Sequence, residues 1–378
     1  MSQKPTASLE KHFSSLTDPR TGNAKQHLFL EIILLAICAV ICGANSWTDI
    51  ELFGKKKHKW LKSFLRLPKG IPSHDTFGRV FAHLNPEEFQ TCFIEWVKAL
   101  VVLTEGQVIA VDGKQLRGSH DQASGKKALY MVSAWATANH LVLGQTKVAE
   151  KSNEITAIPE LLKSLALTGC IVTVDALGTQ TEIAQTVIDG GGDYILAVKG
   201  NQGHLFEDLQ YLFEVDAQHH FKDVPHTYAK TVNKGHGRLE IRECWVITDK
   251  EYLTFLRGHK NWAGLRALIR IVSERRVGGQ VEIQTRYFIS SLALKAKAML
   301  KAKRSHWQIE NQVHWVLDVA FQEDASRVRK GYSPENLAIL RHMALNMLRK
   351  EKTAHGGIQA KRLQAAWDHN YLLTILRS

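Results

Sequence analysis

Val108-Ile109-Ala110-Val111-Asp112-Gly113 decides how the chain is read: four consecutive apolar residues of strand type, then an acid and a glycine. A short unbroken apolar run bounded by turn residues suits a strand covered on both faces. A run of this kind ending at an acid returns at Cys170-Ile171-Val172-Thr173-Val174-Asp175, and a further strand-like run spans residues 194–198. Two more strand-like runs, 129–137 and 141–148, lie between the first and second, parted by the polar turn Ala138-Asn139-His140. Helical spacing fills 153–167 (Ile155, Ile158, Leu161, Leu162, Leu165) and 179–188. The order β-β-β-α-β-α-β predicts an α/β layer with a partly parallel sheet.

Outward from this core the period changes on both sides. Residues 1–104 read as a helical, basic module. Its most apolar helix spans 28–42 and ends at Gly43 and Asn45; further helices follow at 46–66, after Ser73 or Thr76 as N-cap, and after Pro86. From about residue 222 the period becomes two, and 267–277 and 281–290 are joined through Gly278-Gly279, a hairpin signal. Helical spacing returns over 295–319 and again from Ser333 onward. The expected boundaries are a helical domain at 1–104, an α/β domain at 105–221 and 293–350, a β-rich insertion at 222–292 and a helical tail at 351–378.

Composition limits the function classes. The 378 residues carry 49 Lys and Arg against 37 acids, a formal net charge of +12, which favours a polyanionic partner. Between Phe53 and His74 there is no acid, yet Lys55, Lys56, Lys57, Lys59, Lys62, Arg66 and Lys69 all fall there. Trp60 and Phe64 are interleaved with these lysines and suit a core face as well as base stacking. Five cysteines, mostly within apolar runs, read as buried hydrophobes of a reducing compartment, and none has zinc-finger spacing. The apolar stretch 28–44 contains Glu31 and is short for a membrane span, so a buried helix and a cytoplasmic protein without membrane contact are expected. No Gly-Lys-Ser/Thr phosphate loop is present, hence no ATP signature.

An acid directly after an apolar strand stands at the strand's carboxyl end, where α/β sheets place their sites. In a sheet ordered 3-2-1-4-5 the first and fourth strands are neighbours, and Asp112 and Asp175 would emerge side by side. Two close carboxylates repel unless a cation lies between them. Hard oxygen donors suit magnesium or manganese, and a pair of such ions supports phosphodiester displacement. The alternative is that each aspartate only caps a turn or a helix.

"VIAVDGKQLRGS" (108–119), "IVTVDALGTQTEIAQ" (171–185), "YILAVKGNQ" (194–202), "HGRLEIR" (236–242) and "RSHWQIENQVHWVLDVAFQEDASRVR" (304–329) together resemble the DDE transposases of bacterial insertion sequences. More narrowly, the chain resembles the H-repeat-associated transposase-like proteins of Rhs elements. The N-terminal "DPR", "PSHDTFGRVF" and the Phe/Trp helix match the helical domain found ahead of the catalytic domain in that group. The resemblance runs from about residue 10 to 350. It implies a ribonuclease-H-like catalytic core whose three metal-binding acids are Asp112, Asp175 and Glu310, holding Mg2+ or Mn2+, two ions in all. Glu310 stands 135 residues after Asp175, and the β-rich insertion accounts for the gap.

Around Glu310 this sequence departs from the pattern. Relatives often carry Tyr and Arg before the glutamate and Lys after it; here Lys303, His306 and Leu317 occupy those places, and Arg304 is expected to supply the charge. On a regular helix His306, Glu310, His314 and Asp318 share one face, a row that in isolation could ligate zinc or iron. Asp318, Glu323 and Asp324 are weaker candidates for the third acid. Lys114, Arg117, Lys199 and Arg238, with Arg304, His306 and Lys55–Lys57, are the expected DNA contacts; Arg242 reads as a solvated charge. The implied partners are double-stranded DNA, as element ends and as target, and further copies of the chain. Three activities follow as candidates: a transposase that cleaves and joins DNA strands, a degenerate copy that only binds, or a nuclease without strand transfer.

Overall fold

A computed structural model describes the chain apart from residues 1–4, 23, 24, 102, 121–124, 126, 150–152 and 236. Five helices come first: α1 (Ala7–Phe13), α2 (Phe29–Ile41), α3 (Trp47–Leu61), α4 (His74–His83) and α5 (Pro86–Leu100). α2 is apolar on every side apart from Glu31 in its first turn, and every residue from Ile32 to Ile41 is buried, as such a helix requires. Gly43, at φ +107°, takes the left-handed conformation that stops it. α3 starts with a reciprocal capping box between Ser46 and Asp49. Ser73, not Thr76, caps α4, accepting from the backbone N–H of Thr76. Asn85 caps α5 with Pro86 at its first position.

Next come β1 (Val108–Leu116), β2 (Leu129–Ala136), β3 (Leu141–Lys147), α6 (Glu154–Lys163), β4 (Ile171–Val174), α7 (Thr181–Asp189), β5 (Asp193–Val198) and α8 (Gly203–Gln218). β6 (His226–Gly235), β7 (Arg238–Ile247), α9 (Lys250–Phe255), β8 (Ala267–Val277) and β9 (Gln280–Ser290) follow. The nine strands of the described residues form one sheet in the order β3-β2-β1-β4-β5-β9-β8-β7-β6. The 3-2-1-4-5 order expected for the core is therefore present. β1 pairs antiparallel with β2 and parallel with β4; β4 pairs parallel with β5. The β-rich segment does not close a layer of its own. β9 pairs antiparallel with β5, so β6–β9 continue the same sheet. Gly278 and Gly279, at φ +56° and +82°, make the two-residue turn between β8 and β9.

One face of the sheet is covered by α10 (Ala296–His306), whose Met299 and Leu300 pack on Val108, Ile171, Ile195, Ile269 and Phe288. The opposite face carries Ile109, Val111, Val172 and Leu196 into the main core with α6 and α7. Beyond α10 the helix does not run on regularly to 319. A π-helical turn, Glu310–His314, separates it from α11 (Trp315–Phe321). α12 (Ser333–Lys350), α13 (Ile358–Trp367) and α14 (His369–Arg377) complete the chain, and α12 packs against α2. No helix of the described residues is long and apolar enough to cross a membrane. All five cysteines are free.

Candidate metal centre

The last parallel register pair of β1 and β4 is Val111 with Val174, so the next residues are Asp112 and Asp175. β1 does not end at Asp112, as the apolar run suggests. β2 continues beside it, and the pairing persists to Leu116 with Leu129. What ends is β4, which leaves the β4-facing edge of β1 open at the acid. Asp112 shares the strand parity of Val108, and Asp175 that of Ile171, so both acids belong to the face under α10. Asp175 Oδ1 accepts from the backbone N–H groups of Leu177 and Gly178 at 3.1 and 3.2 Å. One of its oxygens thus caps a turn while the carboxyl stays beside Asp112.

Glu310 opens the π-helical turn. Such turns are rare and frequent at functional sites. His314 Nδ1 lies 2.9 Å from Glu310 Oε2 and 3.6 Å from Asp112 Oδ2. Ligand atoms of Asp112, Glu310 and His314 all fall within 4.8 Å of one another. Glu310 is exposed and His314 buried, so the group opens toward solvent on the glutamate's side. Burial pushes the Asp112 carboxyl up to about 6, with Asp175 and Glu310 adding to the rise and His314 opposing it. The hydrogen bond from His314 holds Glu310 below its ordinary range.

A fourth acid was not legible in the sequence. Glu154, the first residue of α6, is buried, and burial raises its carboxyl, helped by Asp175 and Asp112 and opposed by a hydrogen bond with Tyr130. Gly113 makes room for it, since a Cβ there would strike the Glu154 carboxylate and the Tyr130 ring.

The structure corrects several expected DNA contacts. Lys114 is turned inward, where it pairs with Asp318, Glu323 (3.0 Å) and Asp324 (3.2 Å). Asp318, Glu323 and Asp324, the weaker candidates for the third acid, are thus engaged with Lys114. His306 is buried, hydrogen-bonded to Thr173 at 3.0 Å, and burial holds its imidazole well below the ordinary range. A neutral enclosed ring does not contact a phosphate. Lys57 donates to the carbonyl of Ala366 at 2.7 Å and meets His369, so it ties α3 to the C-terminal helices. Lys55 is exposed but pairs with Glu51, and Lys56 is exposed. Arg117 is exposed and 3.5 Å from Asp324. Arg238 sits at the β6–β7 tip beside Glu240, which also pairs with Arg242. Lys199 and Arg304 are exposed, the former directly after β5.

Residues 103–347 match the family described as "Transposase DDE domain", and residues 10–97 match its companion "DDE_Tnp_1-associated". The chain is 41% identical over 378 residues to "H repeat-associated putative transposase YhhI" of Escherichia coli strain K12, covering 97% of each chain. It is 40% identical over 376 residues to "Putative transposase YncI" of Escherichia coli O157:H7, covering 98% of this chain and 95% of that one. A piggyBac transposase in a synaptic complex with hairpin DNA matches with a TM-score of 0.42 and 12% identity, over 99% of this chain and 77% of that one.

Proposed function

The chain belongs to the DDE transposase family, with a ribonuclease-H-like core, and from that premise we propose that it cleaves and joins DNA strands at the ends of an insertion element. The observation that carries this reading is the parallel β1–β4 register, which sets Asp112 beside Asp175 under the helix that delivers Glu310. The donor set suits a hard divalent cation: the Asp112 and Glu310 carboxylates meet beside His314, Asp175 follows β4 in the neighbouring strand position, and Asp112 is held up to about 6 by burial, with Asp175 and Glu310 adding to the rise. Asp112, Asp175 and Glu310 would hold the metal, and His314 orients Glu310 toward Asp112. When bound, Mg2+ or Mn2+ ions, two in this reading, activate the attacking oxygen and stabilise the leaving oxygen of an in-line displacement.

In the first reaction water adds to a phosphorus at the element's end and the DNA 3′-oxygen leaves as a hydroxyl. In the second that 3′-hydroxyl attacks a target phosphodiester, forming one P–O bond and releasing a target 3′-hydroxyl. No serine or tyrosine nucleophile is needed. Lys55, Lys56 and Lys59 on α3, with Lys62 directly after it, offer the duplex a basic face, and copies of the chain pair the two ends.

The test is incubation with DNA bearing the element's own ends in Mg2+ or Mn2+. Nicked and joined products that vanish in Asp112→Asn, Asp175→Asn and Glu310→Gln are expected. Cleavage that survives Asp112→Asn would overturn the site. Binding without cleavage would mark a degenerate copy, and hydrolysis without joining a nuclease.

A further inference from the structure

We propose that Lys199, Arg286 and Lys303 form a second anion site, built for a DNA phosphate next to the one handled by the acids. The proposal rests on the transposase reading and assigns a positioning role within it.

Sheet register sets the arrangement. Val198 of β5 pairs with Tyr287 of β9, so Lys199 and Arg286 stand one step further out, opposite each other. Lys199 is two residues from Ala197 and Arg286 two from Phe288, and both of those pack on the α10 face. Along one edge of one face the order is Asp112 on β1, Asp175 after β4, Lys199 after β5 and Arg286 on β9. Neighbouring strands are about 4.8 Å apart, so the backbone positions of Lys199 and Arg286 lie roughly 5 and 10 Å from that of Asp175 along the edge. Acids and cations divide the edge between them.

α10 adds Lys303 above this row. Its ammonium lies 5.1 Å over the Phe288 ring, and the residue is only 9% exposed. No hydrogen-bond or ion-pair partner for it exists among the described residues. Burial, then Arg286, draws its pKa down to about 7, although Asp175 and Asp112 act in the other direction. A largely enclosed charge without a partner is costly, and is usually found where something completes it at its accessible tip. Arg286 also makes no ion pair among the described residues. Its guanidinium stacks 5.3 Å over Trp307 and donates to Gln284 at 2.6 Å, which fixes its plane. Trp307 sits one helical turn after Lys303 and one before Glu310, so the three cations adjoin the acid centre. A phosphodiester oxygen placed there would complete Lys303 and leave Arg286 free to donate its remaining N–H groups.

The measurement is anisotropy of a short labelled duplex with a free end, bound to full-length protein in EDTA at several salt concentrations. Arg286→Gln and Lys303→Met should each weaken binding about tenfold, the loss of one charged hydrogen bond. Each should also flatten the salt slope by about one. Lys303→Arg should restore both. Lys303→Met should in addition raise the melting temperature, because it removes a largely enclosed cation without a partner; a packing role would lower it. Unchanged affinity and slope in both Arg286→Gln and Lys303→Met overturn the subsite, and Arg286→Gln with Lys199→Gln carries the test if Lys303→Met does not fold. Mn2+ binding measured in parallel separates the two readings. Mn2+ affinity lost in Asp112→Asn with DNA binding unmoved in the lysine and arginine variants sinks only the subsite; Mn2+ affinity independent of Asp112 sinks the metal centre.

Discussion

His314 Nδ1 and Glu310 Oε2 are 2.9 Å apart across a π-helical turn, and the same nitrogen lies 3.6 Å from Asp112 Oδ2. The imidazole therefore links the acid of the helix to the acid of the sheet. His314→Ala should free Glu310 and let its carboxyl rise toward the ordinary range, because the hydrogen bond is what lowers it. Groups that orient metal ligands typically contribute 10–100-fold to affinity, so a loss of about that size is expected. Titration calorimetry with Mn2+ checks it; unchanged affinity would remove His314 from the centre.

Asp112 gives the metal-free protein a pH signature. Its carboxyl is raised by burial to about 6 in the folded state, against roughly 4 unfolded. Between these values the folded state holds more protons, so stability falls as pH rises through the window. The full penalty, on the order of 2–3 kcal/mol, is present above about pH 6 and absent below about pH 4. Asp112→Asn should therefore be more stable than the parent in EDTA at pH 7, with the gap closing toward pH 4. Urea unfolding across that range reads it directly, and a constant gap would refute the assignment.

Lys114 is an ion-cluster residue in the structure, not a phosphate contact. Glu323, its 3.0 Å partner, is buried and also faces Arg341 at 3.4 Å. Removing Lys114 leaves Glu323 with Arg341 as its remaining partner, so the cost falls below the roughly 3–5 kcal/mol of a fully stranded buried charge. Lys114→Met should show that loss in urea unfolding. A variant that keeps its stability and loses only DNA binding would restore the earlier expectation.

The lysines of α3 divide by exposure. Neutralising Lys55, Lys56 and Lys59 to Gln should weaken duplex binding and flatten its salt dependence, by at most about 0.9 per lost phosphate contact. Lys57→Gln should instead lower the melting temperature, since Lys57 holds the Ala366 carbonyl. Anisotropy and thermal unfolding of the same set distinguish the two effects.

Much of this was legible because buried strands write themselves plainly. Four apolar residues before Asp112 and before Asp175 leave few alternatives to parallel core strands, and α2 is unambiguous for the same reason. β6 was not legible: its residues 226–235 alternate Lys, Thr and Asn on an edge strand with little buried surface, so no apolar face marks it. The row His306, Glu310, His314, Asp318 assumed a 3.6 period. The π-helical turn breaks that assumption, and the four side chains go to Thr173, the acid centre and Lys114. The partners of Lys114, 204 to 210 residues away, and the approach of Glu154 behind Gly113 are tertiary facts that no local spacing encodes.

The first helices are closed by the last. Buried Arg362 donates to the carbonyl of Val40, 322 residues earlier, while α2 lies against α12. Loop closure over such spans comes late in folding. Asp112 and Asp175 are synthesised well before Glu310, and all three before the helix that carries Arg362. A growing chain thus exposes α2, its most apolar helix, until the C-terminal segments that cover it have been made.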